Sequence, residues 1–177
     1  MSKKIHDKSF EIFLTKEEIE SRVSSLGAQI KKDFERKDPV LLGVLKGCFV
    51  FMADLSRAID LPLEVSFIRL QSYEGFHSTG KPQISLSIKE KLEGRDILIV
   101  EDIVDTGNSI YHLKKELEDL KPNSVSIVAL LYKPDAFRFN YPIDYVGFEI
   151  PNKFVVGYGL DYDDLGRNLP DIYQVID

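Results

Sequence analysis

The run Ile97-Leu98-Ile99-Val100-Glu101-Asp102-Ile103-Val104-Asp105-Thr106-Gly107-Asn108-Ser109-Ile110 admits few folds. Its first four residues are apolar β-formers without alternation, the pattern of a strand covered on both faces, and such strands belong to parallel sheets inside α/β layers. Glu101 and Asp102 end that strand abruptly, and a short loop from Asp105 to Ser109 then opens an amphipathic helix. Two successive carboxylates at the carboxyl end of a buried strand are costly without partners, and that edge is where open α/β proteins bind ligands. Small residues let the loop fold tightly, so backbone N–H groups and the Thr106 and Ser109 hydroxyls converge on one anion at the positive end of the helix. The acids repel a bare phosphate, so the ligand must also offer what carboxylates bind, such as sugar hydroxyls or Mg²⁺. Asp, Asn, Ser and Gly are common at any helix entry, which explains the loop without explaining the acids.

Strand and helix signals alternate on either side of this run. Thr15-Lys16-Glu17-Glu18 is a capping box, followed at helical spacing by Ile19, Val23, Leu26 and Ile30. Val40–Leu45 reads as a buried strand, Phe49–Ile59 as a helix, and Leu63–Leu70, Ile84–Ile88, Asp96–Val100 and Ser124–Leu131 as strands, with Ile110–Leu120 as a crossover helix. Alternation of this kind predicts an α/β fold with a doubly wound, mainly parallel sheet flanked by helices. The polar stretch Gln71–Pro82 reads as a lid. No linker, repeat or low-complexity tract interrupts residues 1–177, which are expected to form a single domain.

Net charge −6 and a pI near 5.2 argue against nonspecific nucleic-acid binding. Cys48 is the only cysteine, and it sits among Phe49, Val50, Phe51 and Met52 as a core thiol. His6, His77 and His112 have no zinc-ligand spacing. With no long apolar segment near the start and none of membrane-spanning length, a soluble, cytoplasmic protein is expected. A P-loop glycine-lysine run is absent, and Gly157-Tyr158-Gly159 lacks the third glycine of a dinucleotide loop.

Three further motifs accompany the central run. Leu45-Lys46-Gly47 stands at the end of a predicted strand, Leu131-Tyr132-Lys133-Pro134 at the end of another, and Tyr145 to Tyr162 carries Val146-Gly147-Phe148-Glu149-Ile150-Pro151-Asn152-Lys153-Phe154-Val155-Val156-Gly157 and Asp161. On the residues alone, Lys46-Gly47 is a turn, Phe154 is core, Asp161 belongs to a solvated acidic turn, and Lys133 is a surface strand end. Together and in this order, the four motifs resemble the type I phosphoribosyltransferases, and within them the 6-oxopurine branch, over about Phe13 to Asp171.

The resemblance implies purine salvage: hypoxanthine or guanine joined to 5-phosphoribosyl-1-pyrophosphate (PRPP), with Mg²⁺, giving IMP or GMP and pyrophosphate through an oxocarbenium-like state. It also implies a small hood from the chain ends and a homodimer or homotetramer. Glu101 and Asp102 would meet the ribose, Thr106, Gly107, Asn108 and Ser109 the 5′-phosphate, and Lys46, Gly47 and Arg167 the pyrophosphate. The Leu45–Lys46 peptide is often cis in that branch. Lys133 would donate to purine O6, Phe154 would stack on the ring and Val155 would meet its edge through the main chain. Asp161, with Glu101 and Asp102, would serve the metal, and Ser72 and Tyr73 would open the lid. Asp105 would accept or hold the proton at purine N7, although its position also suits an Asx-type turn. A regulator that binds PRPP as a signal and also binds nucleic acid is a different reading. The low pI and the complete set Lys46, Asp105, Lys133 and Arg167 speak against it.

Overall fold

The computed structural model describes residues 2–70 and 92–176. Two strands, β1 (Ser2–Ile5) and β2 (Lys8–Leu14), come first. The capping box then forms: Glu18 N donates to Thr15 Oγ1 at 3.3 Å and Thr15 N donates to Glu18 Oε2 at 2.8 Å, opening α1 (Lys16–Phe34). Such a cap stabilises a helix by about 1 kcal/mol. The chain continues through β3 (Val40–Leu45), α2 (Phe49–Ile59), β4 (Glu64–Arg69), β5 (Asp96–Val104), α3 (Asn108–Glu118), β6 (Ser124–Tyr132) and β7 (Tyr145–Glu149). Strands β4-β3-β5-β6-β7 pair in that order, all parallel. The near-continuous apolar strands bury both faces. Leu41, Leu98 and Val128 pack under α1 and α2, while Leu42, Ile97, Ile99 and Ile127 pack against Ile110, Leu113 and Leu117 of α3. Each fully buried Leu or Ile removes apolar surface worth about 1.5–3 kcal/mol from water.

A second sheet comes from segments far apart in sequence. β1 and β2 are joined by β8 (Val155–Val156) and β9 (Ile172–Ile176), and the four pair antiparallel in the order β1-β2-β9-β8. Ile5, Phe10, Val156 and Tyr173 form its small core. This is the expected hood.

One expectation needs correction. The acid pair does not end the central strand: β5 runs on to Val104, with Glu101 opposite Ala129, Ile103 opposite Leu131 and Val104 opposite Tyr132. The neighbour β6 is long enough to keep offering ladder partners, and this outweighs the weak strand propensity of the carboxylates. The predicted strand Ile84–Ile88 and the lid Gln71–Pro82, with Ser72 and Tyr73, lie outside the described residues.

Candidate active site

The sheet splits where the acids lie. β3 and β5 pair only from Val40 opposite Ile97 to Gly43 opposite Val100. Beyond that, β3 stays with β4 through Leu45, while β5 stays with β6 through Val104. Strand order also reverses here, and such a switch point leaves a crevice at the carboxyl edge. A cleft of about 260 Å³ opens there, lined by Val44 and Leu45 on one side and by Glu101 and Ile103 to Ile110 on the other. The whole predicted phosphate loop, Asp105 to Ser109, faces it.

Gly107 is the N-cap of α3 with φ +81°, a conformation that favours glycine. A Cβ there would also lie 2.4 Å from Phe137 Cε2. The Thr106 carbonyl accepts from Arg138 N at 3.2 Å, and the Gly107 carbonyl accepts both from Tyr111 N at 3.0 Å and from the Tyr141 hydroxyl at 2.5 Å. The loop is therefore held from behind by the β6–β7 connection.

The Leu45–Lys46 peptide is cis. Gly47 follows in close contact with Asp102: a Cβ on it would fall 1.6 Å from Asp102 Oδ2. Gly47→Ala must displace either the carboxylate or the loop. We expect a loss of about 1–3 kcal/mol in stability; urea melts test this, and an unchanged stability would contradict the packing.

After β8 the chain folds back on itself, with Gly159 N donating to Arg167 O and Tyr162 N to Leu165 O, which sets Asp161 beside Arg167. The two side chains pair at 2.6 Å, and Arg167 also donates to the Gly159 carbonyl at 2.8 Å. Lys46 pairs with Asp164 at 3.0 Å. Lys133 sits at the end of β6, 7% exposed, and donates to Asp105 Oδ2 at 2.8 Å. Each candidate cation thus has a carboxylate partner close by, and none of Lys133, Asp161 or Phe154 follows the plain reading of its residue type. Lys133 is buried, Asp161 is ion-paired and partly buried, and Phe154 is 46% exposed, touching Phe10 and Tyr162 only at 6.4 and 5.7 Å between ring centres. Val155 is buried in β8 opposite Gln174.

Electrostatics separates the acid pair from ordinary carboxylates. Glu101 is buried, and desolvation together with the neighbouring Asp102 raises its carboxyl well above the usual range. Burial also pushes Asp102 up to about 6, against the opposing influence of backbone hydrogen bonds and Arg167. Cys48 lies beneath them, its thiol pushed up to about 12 by burial and by both acids, and is a fully buried core residue as expected.

The Asp102 shift has a direction that can be measured in metal-free solution. The folded chain holds this proton more tightly than the unfolded chain, whose ordinary value is 3.8, so its stability contribution is full below that value and is lost as pH rises to about 6. Asp102→Asn should remove this loss, so the stability of the variant relative to wild type should grow by on the order of 2 kcal/mol from roughly pH 4 to 6. The difference is the readout, because Asp7, Glu18, Asp60 and Asp164 are held below the usual range by hydrogen bonds from Tyr162, Thr15, Lys31 and Lys46 and act in the opposite sense. Urea titrations giving a pH-independent difference would refute the assignment.

Among the described residues, no three His, Cys, Asp or Glu side chains gather to hold a metal by themselves. Asp161 is turned to Arg167, while of the consecutive strand residues Glu101 lines the cleft and Asp102 lies against Gly47. That donor set still suits Mg²⁺, which is commonly held by one or two carboxylates with waters and substrate phosphates. Sequence reading missed Asp164 as the partner of Lys46 and the contacts of Phe137 and Tyr141 behind the loop. The closely spaced aromatics Phe137, Phe139 and Tyr141 were the available signal.

A parallel sheet bearing a buried acid pair and a hydroxyl-rich anion loop at its switch point, roofed by a hood that presents an aromatic ring, defines a phosphoribosyl-transferring protein. The phosphoribosyl transferase domain family matches residues 9–163. The hypoxanthine-guanine phosphoribosyltransferase of Staphylococcus aureus strain Mu50 is 43% identical over 169 residues, covering 95% of this chain and 94% of that protein. That of Dictyostelium discoideum is 42% identical over 92% of this chain and 93% of its own length. A solved hypoxanthine phosphoribosyltransferase from Staphylococcus aureus superposes with a TM-score of 0.85 at 42% identity, covering 94% of this chain and 92% of that one. The chain belongs to the phosphoribosyl transferase family and, within it, to the hypoxanthine-guanine phosphoribosyltransferases.

Proposed function

We propose that the protein transfers the 5-phosphoribosyl group of PRPP to N9 of hypoxanthine or guanine, forming the nucleoside monophosphate and pyrophosphate in purine salvage. The observation that carries this reading is the ion pair between buried Lys133 and half-exposed Asp105, which begins the loop lining the cleft; it supports a base-reading role for the lysine and a proton-accepting role for the carboxylate. In this reading the loop from Thr106 to Ser109 binds the 5′-phosphate, and Glu101 and Asp102 bind the ribose hydroxyls. Lys46, Gly47 and Arg167 receive the pyrophosphate, with both cations exchanging Asp164 and Asp161 for phosphate oxygens. Phe154 stacks on the purine, Val155 meets its edge and Lys133 donates to O6.

As the C1–oxygen bond to pyrophosphate breaks, the leaving group takes the bonding pair, positive charge develops on the ribosyl ring beside the carboxylates, and N9 attacks C1. Asp105 takes up the proton released at N7. Glu101, Asp102 and Asp161 would hold Mg²⁺, which would supply charge neutralisation of the pyrophosphate. The family likeness supports a homodimer or homotetramer whose subunits each form one domain, and the single buried cysteine suits the reducing cytoplasm. No helix among the described residues is long and apolar enough to cross a membrane. A spectrophotometric assay with PRPP, Mg²⁺ and each of hypoxanthine and guanine tests the reading. Turnover of both is expected, and turnover of neither overturns it.

A further inference from the structure

We propose that Tyr141 is a positioning residue for the donor phosphate: its hydroxyl, with the backbone of Arg138, pins two consecutive carbonyls of the loop and thereby aims the amides on their far sides at the phosphate. The inference rests on the phosphate role proposed for Thr106 to Ser109.

A trans peptide is planar, so the carbonyl of one residue and the N–H of the next point in opposite directions. Arg138 N donates to the Thr106 carbonyl, which sets the Gly107 N–H. The Tyr141 hydroxyl and Tyr111 N both donate to the Gly107 carbonyl, occupying both its lone pairs and setting the Asn108 N–H, which donates to Thr106 Oγ1 at a long 3.4 Å and exchanges that contact for a phosphate oxygen on binding. Gly107 and Asn108 line the cleft, whereas Phe137 and Tyr141 do not, so the carbonyls are gripped from the side away from the ligand.

The grip is itself braced. Phe137 packs edge-on to Tyr141 at 5.0 Å and closes on Gly107, and Phe139 stacks on Tyr111 at 4.7 Å. Two surface lysines cover the rings, Lys114 over Tyr141 and Lys115 over Tyr111. The same segment starts at Lys133, whose carbonyl accepts from Ala136 N and Phe137 N. The residue that reads the base and the residues that aim the loop therefore belong to one short hydrogen-bonded unit.

Tyr141→Phe removes the hydroxyl and keeps the ring packing. We expect KM for PRPP to rise about 5- to 10-fold, the effect of one lost hydrogen bond, with kcat at saturation and KM for hypoxanthine within about 2-fold of wild type. Calorimetry should show IMP binding weakened by the same factor and inosine binding unchanged, because only IMP carries the phosphate. Tyr145→Phe loses a comparable hydroxyl contact, to Asp33 at 2.9 Å, and serves as the control, with all five quantities expected to stay at wild-type values. A uniform fall in every parameter of Tyr141→Phe, or equal weakening of IMP and inosine, would reduce Tyr141 to a fold-stabilising residue and overturn the inference. Ser109→Ala separates the two layers. If it leaves the IMP-to-inosine affinity ratio unchanged, the phosphate reading of the loop fails; if it lowers that ratio while Tyr141→Phe does not, only the positioning role fails.

Discussion

Hypoxanthine and guanine are expected to turn over with kcat/KM about 10⁴- to 10⁵-fold above that for adenine. The discrimination stems from the burial of Lys133, whose ammonium carries only donors and gives one of them to Asp105 at 2.8 Å. A 6-oxopurine presents an acceptor at O6, which takes up a further donor. Adenine presents an amino group there, so two donors face each other away from water and neither is satisfied. Lys133→Ala should compress the hypoxanthine-to-adenine ratio by about 10²-fold or more while changing KM for PRPP far less. Comparable kcat/KM for adenine and hypoxanthine in the wild type would remove the O6 role from Lys133.

Asp105→Asn should lower kcat by about 10²- to 10⁴-fold while leaving the affinity for PRPP with Mg²⁺ comparatively intact. The amide cannot take up the N7 proton. It also leaves a buried ammonium beside a neutral group, so the substitution weakens base reading as well. For that reason the effects of Asp105→Asn and Lys133→Ala on kcat/KM for hypoxanthine should be non-additive, with the double variant less impaired than the product of the single effects. Near-normal kcat in Asp105→Asn would leave this residue a turn former only.

The parts of the fold readable in the sequence are those with local causes. The box at Thr15 and Glu18 needs only four residues, and the unalternated strands around Leu41 and Leu98 declare their two covered faces directly. The end of β5 is misplaced from sequence because what keeps Ile103 and Val104 in the ladder is the length of β6, some 28 residues later. β8 has two residues and exists through its pairing with β9, so no pattern within it could announce a strand. In the site, the residue types that carry charge were legible by motif, but their partners were not. Lys46 finds Asp164 across 118 positions, and the burial of Lys133 and exposure of Phe154 run against what each side chain does by default.

The hood has a consequence for the order in which the protein comes into being. β2, at residues 8–14, pairs on one edge with its neighbour β1 but finds its other partner only in β9, at residues 172–176, and β9 is also what holds β8 and hence Val155 in place. On the ribosome, the strands that frame the cleft, β3 through β6, have all emerged while the second edge of Lys8–Leu14 still waits for a strand that has not been made. Contacts of such long range form late, because the loop they close is costly in entropy. A nascent chain therefore acquires the cleft at the sheet's switch point before it acquires the hood beside it.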